Sequence, residues 1–261
     1  MNKTIVFNNN LDPNKREYKL FLQAADRHDI KLIDVRDIEN EVLDTFLEDL
    51  SFCAGTINRS HLEKYITHQY GLKQTNKLTD MLFWRDKIHQ MRYLRPLPCN
   101  IPKTIISNTA SFEEISDLLG VPFIAKRANS SKGAGVELIR TYNDFKGDYQ
   151  LYQEPVWTSF GKDIRVVAFK GDVICAYERD NTASGNFRSN IAQGGIALQK
   201  EIDDDMKNIA KVLFMRTQYD IMGFDLMYGK TGYVFCEVNS CPDVVTPRET
   251  CGVDLADYYM L

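Results

Sequence analysis

Residues 221–239 read IMGFDLMYGKTGYVFCEVN, two largely apolar runs joined by a glycine-rich centre. Apolar runs of this length predict β-strands, here over residues 221–228 and 233–238. The segment Gly229-Lys230-Thr231-Gly232 between them predicts the tight turn of an antiparallel hairpin. We therefore expect this hairpin to belong to the core sheet of the protein.

Three polar side chains interrupt the apolar hairpin: Asp225, Glu237 and Asn239. Side chains alternate along a strand with period two, so 237 and 239 share a face, and the hairpin brings Asp225 beside them. Two carboxylates and an amide oxygen are hard ligands, suited to a magnesium ion that bridges nucleotide phosphates. The alternative is a polar, solvated sheet face. The apolar neighbours Phe224 and Phe235 disfavour that alternative, because they predict that the hairpin is buried. A buried acid needs a cation nearby.

A second candidate element is the glycine-rich segment SSKGAGV, residues 130–136, which follows a predicted strand ending at Lys126. Glycine lets the backbone approach a ligand closely and direct N–H groups at phosphate oxygens. The segment is neither a P-loop nor a dinucleotide-binding fingerprint, since it lacks the Gly-Lys-Ser/Thr ending and no helix is predicted after it. Taken alone, the segment fits an ordinary hairpin turn as well as it fits a phosphate-binding loop. Lys126 favours phosphate binding because it adds a compact positive charge.

Three arginines lie between these two elements in the sequence: Arg165, Arg179 and Arg188. Guanidinium groups bind phosphates and carboxylates through paired donors. Each arginine taken singly is also compatible with an ordinary surface position. Their common location in predicted strands and loops between the glycine-rich segment and the hairpin favours contact with charge that develops on reacting groups.

The order of predicted elements divides the chain into a head and a body. In the first 80 residues strands and helices alternate, which predicts a small α/β head with a parallel sheet. The head strands are predicted at 3–7, 31–35 and 51–57, and its helices at 16–28 and from Ser60 onward. The body is predicted as α+β, with helices at 80–95, 111–119 and 203–217, strands at 102–106 and 123–126, and a hairpin over 163–179.

The composition limits the classes of protein to consider. The net charge is −4, whereas nucleic-acid binding usually needs a basic surface. No stretch approaches the roughly 18 consecutive apolar residues of a membrane span, and the amino terminus lacks the apolar core of a signal peptide. The six cysteines include no Cys-x-x-Cys pair, which disfavours structural zinc and a disulfide framework. We expect a cytoplasmic protein with reduced thiols that binds neither nucleic acid nor membranes.

The motifs, taken in order, resemble the ATP-grasp superfamily, in particular its RimK-like branch of ribosomal-protein glutamate ligases. The resemblance runs from about Lys87 to the carboxyl end, and the first 80 residues share only βαβ character with the family. The motifs that carry it are Ala125-Lys126, residues 130–136, Gln153-Glu154-Pro155-Val156, residues 161–166, Glu178-Arg179, Phe187-Arg188-Ser189-Asn190, Gly223-Phe224-Asp225, residues 237–242 and Gly252-Val253-Asp254.

The resemblance implies that ATP lies between two α+β subdomains, residues 81–152 and 153–261, with residues 1–80 as a separate small domain. It implies ATP and Mg²⁺ or Mn²⁺ as cofactors, with Asp225, Glu237 and Asn239 as metal ligands. The implied nucleotide contacts are Lys87, Lys126, Ser131, Gly133, Gly135, Gln153, Glu154, Pro155, Val156, Asp163, Arg188, Ser189 and Asn190. Arg179, Arg188 and Asn190 would act on the transferred phosphate and the acyl phosphate formed from it.

The implied activity is that of an ATP-dependent carboxylate–amine ligase, which forms an amide through an acyl phosphate. Two alternatives stay open: a small-molecule kinase of the same fold, and a non-catalytic ATP-binding protein, which the complete set of implied ligands disfavours. The resemblance suggests an amino acid, a peptide or a protein tail as substrate and favours a homo-oligomer. In the head, Arg59 is the candidate contact for a substrate carboxylate, with a surface position as the alternative. Cys241 is expected to serve packing, with a reactive thiol as the alternative.

Overall fold

The computed structural model describes residues 4–7, 14–34, 50–53, 75–130, 135–189 and 194–261. Within these ranges the strands form three sheets, of three, four and five strands. In the same ranges, no helix has both the length and the apolar character that crossing a membrane requires.

The helices are α1 (Arg16–Arg27), α2 (Leu78–Trp84), α3 (Lys87–Tyr93), α4 (Phe112–Leu119), α5 (Asp204–Thr217), α6 (Val245–Cys251) and α7 (Leu255–Tyr258). The strands are β1 (Thr4–Phe7), β2 (Lys31–Asp34), β3 (Leu50–Cys53), β4 (Thr104–Ile106), β5 (Phe123–Lys126), β6 (Val136–Ile139), β7 (Leu151–Gln153), β8 (Lys162–Phe169), β9 (Asp172–Asp180), β10 (Ile196–Gln199), β11 (Ile221–Tyr228) and β12 (Tyr233–Asn239).

The head contains a parallel sheet in the order β2-β1-β3, with α1 between β1 and β2. This arrangement confirms the predicted βαβ unit. The helix predicted from Ser60, and Arg59 beside it, lie outside the described residues.

Helix α1 joins the head to the carboxyl-terminal end of the chain. Its buried residues are Leu20, Phe21, Ala24 and Ala25, which repeat with the period of a single helix face. Phe21 packs edge-on against Tyr259, with the ring centroids 5.3 Å apart. Arg27 pairs with Asp254 at 2.6 Å and with Asp257 at 2.7 Å. The described part of the head therefore shares its apolar core with the body.

The four-stranded sheet is antiparallel in the order β4-β7-β5-β6. Its apolar core consists of Ile115, Phe123, Ala125, Ile139, Tyr149 and Tyr152. Helix α4 covers this core and begins at Ser111, whose hydroxyl accepts from the backbone N–H of Glu114 while Glu114 accepts from that of Ser111. Strands β6 and β7 have only four and three residues, and the sequence interpretation did not include them.

The five-stranded sheet is antiparallel in the order β10-β9-β8-β11-β12. Both predicted hairpins, β8–β9 and β11–β12, are confirmed, as is helix α5, whereas the edge strand β10 was not predicted. The two hairpins join through β8 and β11, where Arg165 lies opposite Asp225. Apolar side chains cover both faces. Ile164 and Phe224 belong to the core on one face, and Val167 and Ile221 belong to the core on the other.

The helix predicted over 80–95 is in fact two helices, because the chain leaves helical geometry at Asp86. The carboxylate of Asp86 accepts from the N–H of Ile88 at 2.7 Å and so starts α3. The N–H of Lys87 donates to the carbonyl of Ala128 at 3.2 Å. Met81 of α2 and Met91 of α3 pack into the core of the five-stranded sheet. The limits 1–80, 81–152 and 153–261 stay a prediction, and α2 and α3 pack with the larger sheet.

Side-chain and backbone groups from outside the sheet complete the hydrogen bonding of edge strand β12. The amide of buried Gln90 accepts from the N–H of Val238 at 2.9 Å and donates to its carbonyl at 3.0 Å and to that of Trp84 at 2.7 Å. Further along, the carbonyl of Asn100 accepts from the N–H of Phe235 at 2.8 Å. Gln90 therefore holds the end of β12 as a neighbouring strand would.

We predict that Gln90→Leu lowers the free energy of unfolding by on the order of 3 kcal/mol. Leucine has a similar volume but leaves the buried N–H and carbonyl of Val238 unpaired. The matched control is Gln199→Leu, at an exposed position of β10, with an expected change within about 0.5 kcal/mol. Urea unfolding followed by circular dichroism measures both, and equal effects of the two variants would contradict this role of Gln90.

Candidate active site: a charged cleft between two sheets

A cleft lies between the four-stranded and the five-stranded sheets. The smaller sheet contributes apolar side chains, and the larger sheet contributes most of the charge. The lining residues are Ile124, Lys126, Val136 and Leu138 from β5 and β6; Lys162, Asp163, Arg179, Asp225, Met227, Cys236 and Glu237 from the larger sheet; and Lys87, Ser130, Pro155, Val156, Trp157, Ser159, Phe160, Phe187, Arg188 and Ser189 from α3 and from loops.

The cleft brings together most of the residues that the sequence singled out. Those that line it are Lys87, Lys126, Pro155, Val156, Asp163, Arg179, Arg188, Ser189, Asp225 and Glu237. Gly135, Gln153, Glu154 and Asn239 do not line it. Ser131, Gly133 and Asn190 lie outside the described residues.

Two of the residues outside the lining use their side chains within the four-stranded sheet. The amide of Gln153 is buried and donates to the hydroxyl of Thr104 at 3.0 Å. The carboxylate of Glu154 accepts from the N–H of Lys103 at 2.8 Å. Contact between the backbone of residues 154–156 and a nucleotide base stays a prediction.

The hairpin register places the candidate metal ligands on one face. Asp225 lies opposite Glu237, and Gly223 lies opposite Asn239. Asp225 is only 3% exposed, which argues against a solvated face at this position, whereas the Glu237 side chain is 26% exposed. The register shifts between Asp225 and Leu226, where β12 carries one extra residue, Cys236. This β-bulge explains why Cys236 and Glu237 both line the cleft although they are adjacent in sequence.

Beside the hairpin, two arginines and two aspartates form a buried chain of alternating charge. Asp225 accepts from Nε of Arg165 at 2.5 Å and from Nη2 of Arg165 at 3.0 Å, and its Oδ2 forms an ion pair with Nη2 of Arg179 at 2.8 Å. Arg179 also donates through Nε and Nη2 to Asp163, both at 2.6 Å. Arg165 is absent from the cleft lining. It serves as an internal counter-ion, and the expectation that it faces reacting groups is wrong.

The two aspartates of this chain differ in their affinity for a proton. Burial raises the pKa of Asp225, but Arg165 and Arg179 outweigh burial and hold that pKa below its ordinary value. Burial also raises the pKa of Asp163; Arg179 opposes the rise, the charge of Asp225 adds to it, and the net pKa is raised. Asp225 is therefore the more firmly ionised of the two.

Further cations reach the cleft from other elements. The ammonium of Lys87 lies 3.5 Å from Glu237 and donates to the carbonyl of Ser130. Arg188 donates to the carbonyl of Val136 across the cleft, and its guanidinium lies 4.7 Å from the centre of the Phe187 ring. Within the described residues, the buried Nε of Arg188 has no hydrogen-bond partner. Positive groups from several elements at one cleft suit a polyphosphate ligand.

The sequence interpretation missed several apolar residues of the cleft, and part of the signal was available. Ile124 and Met227 each lie two residues from a predicted site residue on the same strand, so period-two alternation could have found them. Trp157 and Phe160, whose rings stack at 6.0 Å, follow the predicted hinge in sequence. Cys236 carries no comparable signal because its position depends on the bulge.

Five of the six cysteines, Cys99, Cys175, Cys236, Cys241 and Cys251, are free thiols. Burial raises the pKa of Cys241, whose sulfur lies 4.0 Å from the hydroxyl of Tyr259. A protonated, enclosed thiol of this kind fits the expected packing role.

Comparison with known proteins gives a family match and a structural match. The family described as "RimK-like ATP-grasp domain" matches residues 84–260. A probable alpha-L-glutamate ligase of Enterobacter sp. (strain 638) and a ribosomal protein bS6–L-glutamate ligase of Escherichia coli O139:H28 are each 30% identical over 185 residues, which is 66% of this chain. The chain covers 61% of the length of both relatives.

Among solved structures, the ATP-grasp ligase PsnB in complex with precursor peptide PsnA2 and AMPPNP superimposes with a TM-score of 0.71. The match covers 99% of this chain and 97% of PsnB at 15% sequence identity. This likeness concerns the fold, and it confirms the predicted ATP-grasp fold.

We predict that Asp225→Asn destabilises the fold by about 3–5 kcal/mol at pH 7, because it breaks a buried ion-paired group. The pKa of Asp225 is lowered in the fold, so its ionised form stabilises above the unfolded pKa of about 4, and this contribution is lost as the pH falls through the folded pKa. The stability difference between wild type and variant therefore shrinks below about pH 4.

Urea unfolding in EDTA between pH 7 and pH 3 measures that difference. The matched control is Asp204→Asn, because Asp204 is exposed and its ion-pair partner within the described residues is Lys207, at 2.8 Å. We expect little change in stability for this control at any pH. A difference for Asp225→Asn that stays constant down to pH 3 would contradict the assignment of a firmly ionised Asp225.

Proposed function

Because the chain belongs to the RimK-like ATP-grasp family, we propose that it is an ATP- and magnesium-dependent ligase that joins a carboxylate to an amine. The observation that carries the proposal is the arrangement of the cleft. Lys87, Lys126 and Arg188 meet there beside the paired carboxylates of Asp225 and Glu237. Cations for phosphate oxygens and acids for a divalent ion are both needed to use ATP.

In this proposal the nucleotide base lies between apolar side chains of the two sheets. Ile124 and Leu138 provide one wall and Met227 the other. The backbone at Pro155 and Val156 supplies polar groups for the edge of the base, and Lys126 contacts the phosphates. A cleft that offers apolar walls to a ring and polar groups at defined positions is typical of a site for a small ligand.

The donor set fits a magnesium ion carried by a nucleotide. Asp225 and Glu237 lie opposite each other, and the side-chain amide of Asn239 lies 3.4 Å from Glu237. Within the described residues, no three His, Cys, Asp or Glu side chains cluster closely enough to hold a metal by themselves. Magnesium is commonly bound through one or two carboxylates, with substrate phosphates and water completing its shell. When bound, it would neutralise charge on the β- and γ-phosphates.

The proposed chemistry has two steps. An oxygen of the substrate carboxylate attacks the γ-phosphorus, the bond to ADP breaks, and an acyl phosphate forms. The amine nitrogen then attacks the acyl carbon, loses a proton, and inorganic phosphate leaves with one of the original carboxylate oxygens. Arg179 and Arg188 stabilise negative charge in both steps, and a donor of this kind contributes on the order of 3 kcal/mol.

The names of similar proteins support a peptide or protein as one substrate. One relative is named for ribosomal protein bS6 and L-glutamate, and PsnB was solved with a precursor peptide. We infer that this chain takes a carboxylate on a peptide or protein tail, or on a free amino acid, together with an amine of the same class. Mn²⁺ in place of Mg²⁺ and assembly into a homo-oligomer stay predictions.

The test is ADP and phosphate release from Mg-ATP in the presence of pooled amino acids and peptides, followed by mass spectrometry. Release that needs both a carboxylate and an amine, with a product one water lighter than their sum, supports a ligase. A phosphorylated product from a single substrate would make the protein a kinase. ATP binding without turnover on any pool, including peptides, would contradict the substrate class proposed.

We predict that Glu237→Gln lowers ADP release at least about 100-fold while the fold stays intact, because the substitution removes a metal-binding charge without changing side-chain volume. The matched control is Glu201→Gln, at an exposed position outside the cleft, which should turn over normally. Circular dichroism checks that both variants are folded. Near-normal ADP release by Glu237→Gln would show that this hairpin does not hold the metal.

A further inference from the structure

We propose that Arg165 is a positioning residue that fixes the carboxylate of Asp225 for a divalent cation, and that Gly223 is required because it leaves room for the Arg165 side chain. The inference rests on the proposed function, since it concerns the same metal site. It assigns to Arg165 a task other than contact with substrate or nucleotide.

The geometry of the pair is that of a two-point clamp. Arg165 and Asp225 lie directly opposite each other on β8 and β11. Nε and Nη2 of Arg165 reach the two different oxygens of Asp225, at 2.5 and 3.0 Å. The two side chains are 12% and 5% exposed, so water competes little for these bonds. Two parallel bonds between planar groups fix the plane of the carboxylate as well as its position.

The clamp also limits how Asp225 can bind a cation. An ionised carboxylate has about four acceptor positions. Arg165 occupies one on each oxygen, and Nη2 of Arg179 lies 2.8 Å from Oδ2 in an ion pair. Among the described residues, no second cation pairs with Oδ1. Asp225 would therefore offer the cation one oxygen, in an orientation set by Arg165.

Gly223 provides the space in which the Arg165 side chain lies. A Cβ atom at position 223 would lie 3.2 Å from both Cδ and Nη1 of Arg165, and 3.0 Å from Cβ of Pro242. Gly223 precedes Asp225 by two residues, on the same face of β11, and lies opposite Asn239. Alanine at this position would press on the guanidinium without removing any charge from the site.

Stability alone is a weak reason for burying such a pair. Replacing a buried ion pair with well-packed apolar residues is often neutral or stabilising, because both charges must be desolvated. Groups that orient metal ligands, in contrast, typically change metal affinity about 10- to 100-fold when they are removed. The clamp on a candidate metal ligand fits the second role.

The test measures ADP affinity by isothermal titration calorimetry over a series of Mg²⁺ concentrations, which needs no turnover. The midpoint is the Mg²⁺ concentration at which half of the Mg²⁺-dependent change in ADP affinity has occurred. We expect Arg165→Met to raise this midpoint about 10- to 100-fold, with ADP affinity in EDTA unchanged. Arg165→Lys keeps the charge but cannot form the paired bonds, so it should resemble Arg165→Met. Gly223→Ala should shift the midpoint in the same direction and provides a variant in which every charged group is retained.

Three reference proteins separate the possible results: wild type, Arg140→Met as an exposed control outside the cleft, and Glu237→Gln as a variant of the metal site. A midpoint that shifts for Glu237→Gln but not for the folded Arg165 and Gly223 variants overturns this inference and leaves the proposed function standing. A wild-type Mg²⁺ midpoint in Arg165→Lys would show that the positive charge suffices and would overturn the clamp.

If the protein lacks ligase activity but the Arg165 variants shift the Mg²⁺ midpoint, the clamp is supported and the ligase is rejected. ADP binding that ignores Mg²⁺ in wild type overturns both.

Discussion

The ionised carboxylate of Asp225, enclosed within the five-stranded sheet, is the constraint on which the candidate site depends. Removing such a charge from water costs several kcal/mol, and only well-aligned cations offset the cost. Arg165 on β8 and Arg179 on β9 supply them, and both are cross-strand neighbours of aspartates in their own ladders. The order β9-β8-β11 is the arrangement that lets both arginines reach one carboxylate. The strand order therefore places the cations that a buried Asp225 needs. Arg179 also pairs with Asp163, which extends the charge network.

The two sheets contribute differently to the cleft. The four-stranded sheet has its own apolar core and presents Ile124 and Leu138 to the cleft, with Lys126 the charged residue among its strands there. The five-stranded sheet presents the acids and arginines, held rigid by apolar cores on both faces. Arg188 bridges the two by donating to the carbonyl of Val136. A ligand with an apolar ring at one end and several negative charges at the other would match both sides, which is the chemistry of a nucleoside triphosphate.

Period-two alternation and turn chemistry were enough to predict the β11–β12 hairpin and the shared face of Asp225, Glu237 and Asn239, because these depend on local geometry. The division into α2 and α3 depends on Asp86, which caps the start of α3. Aspartate is a common N-cap residue, but the residues on both sides of it continue one helical pattern, so the sequence also fits a single helix. Three other features depend on contacts distant in sequence: the bulge at Cys236, the pairing of β10 with β9, and the use of Arg165 as a counter-ion. The sequence alone could not distinguish a cation that faces a ligand from one that faces a neighbouring strand.

In the proposed reaction, the cleft activates a carboxylate by phosphorylating it. The most direct measurement uses a substrate whose carboxylate carries ¹⁸O in both oxygens, with mass spectrometry of the inorganic phosphate released during turnover. An acyl phosphate requires one carboxylate oxygen to leave with phosphate, so we expect one ¹⁸O atom in each phosphate released. Phosphate without ¹⁸O, formed at the same rate as the product, would mean that the phosphorus never bonded to the carboxylate, and would contradict the acyl-phosphate mechanism.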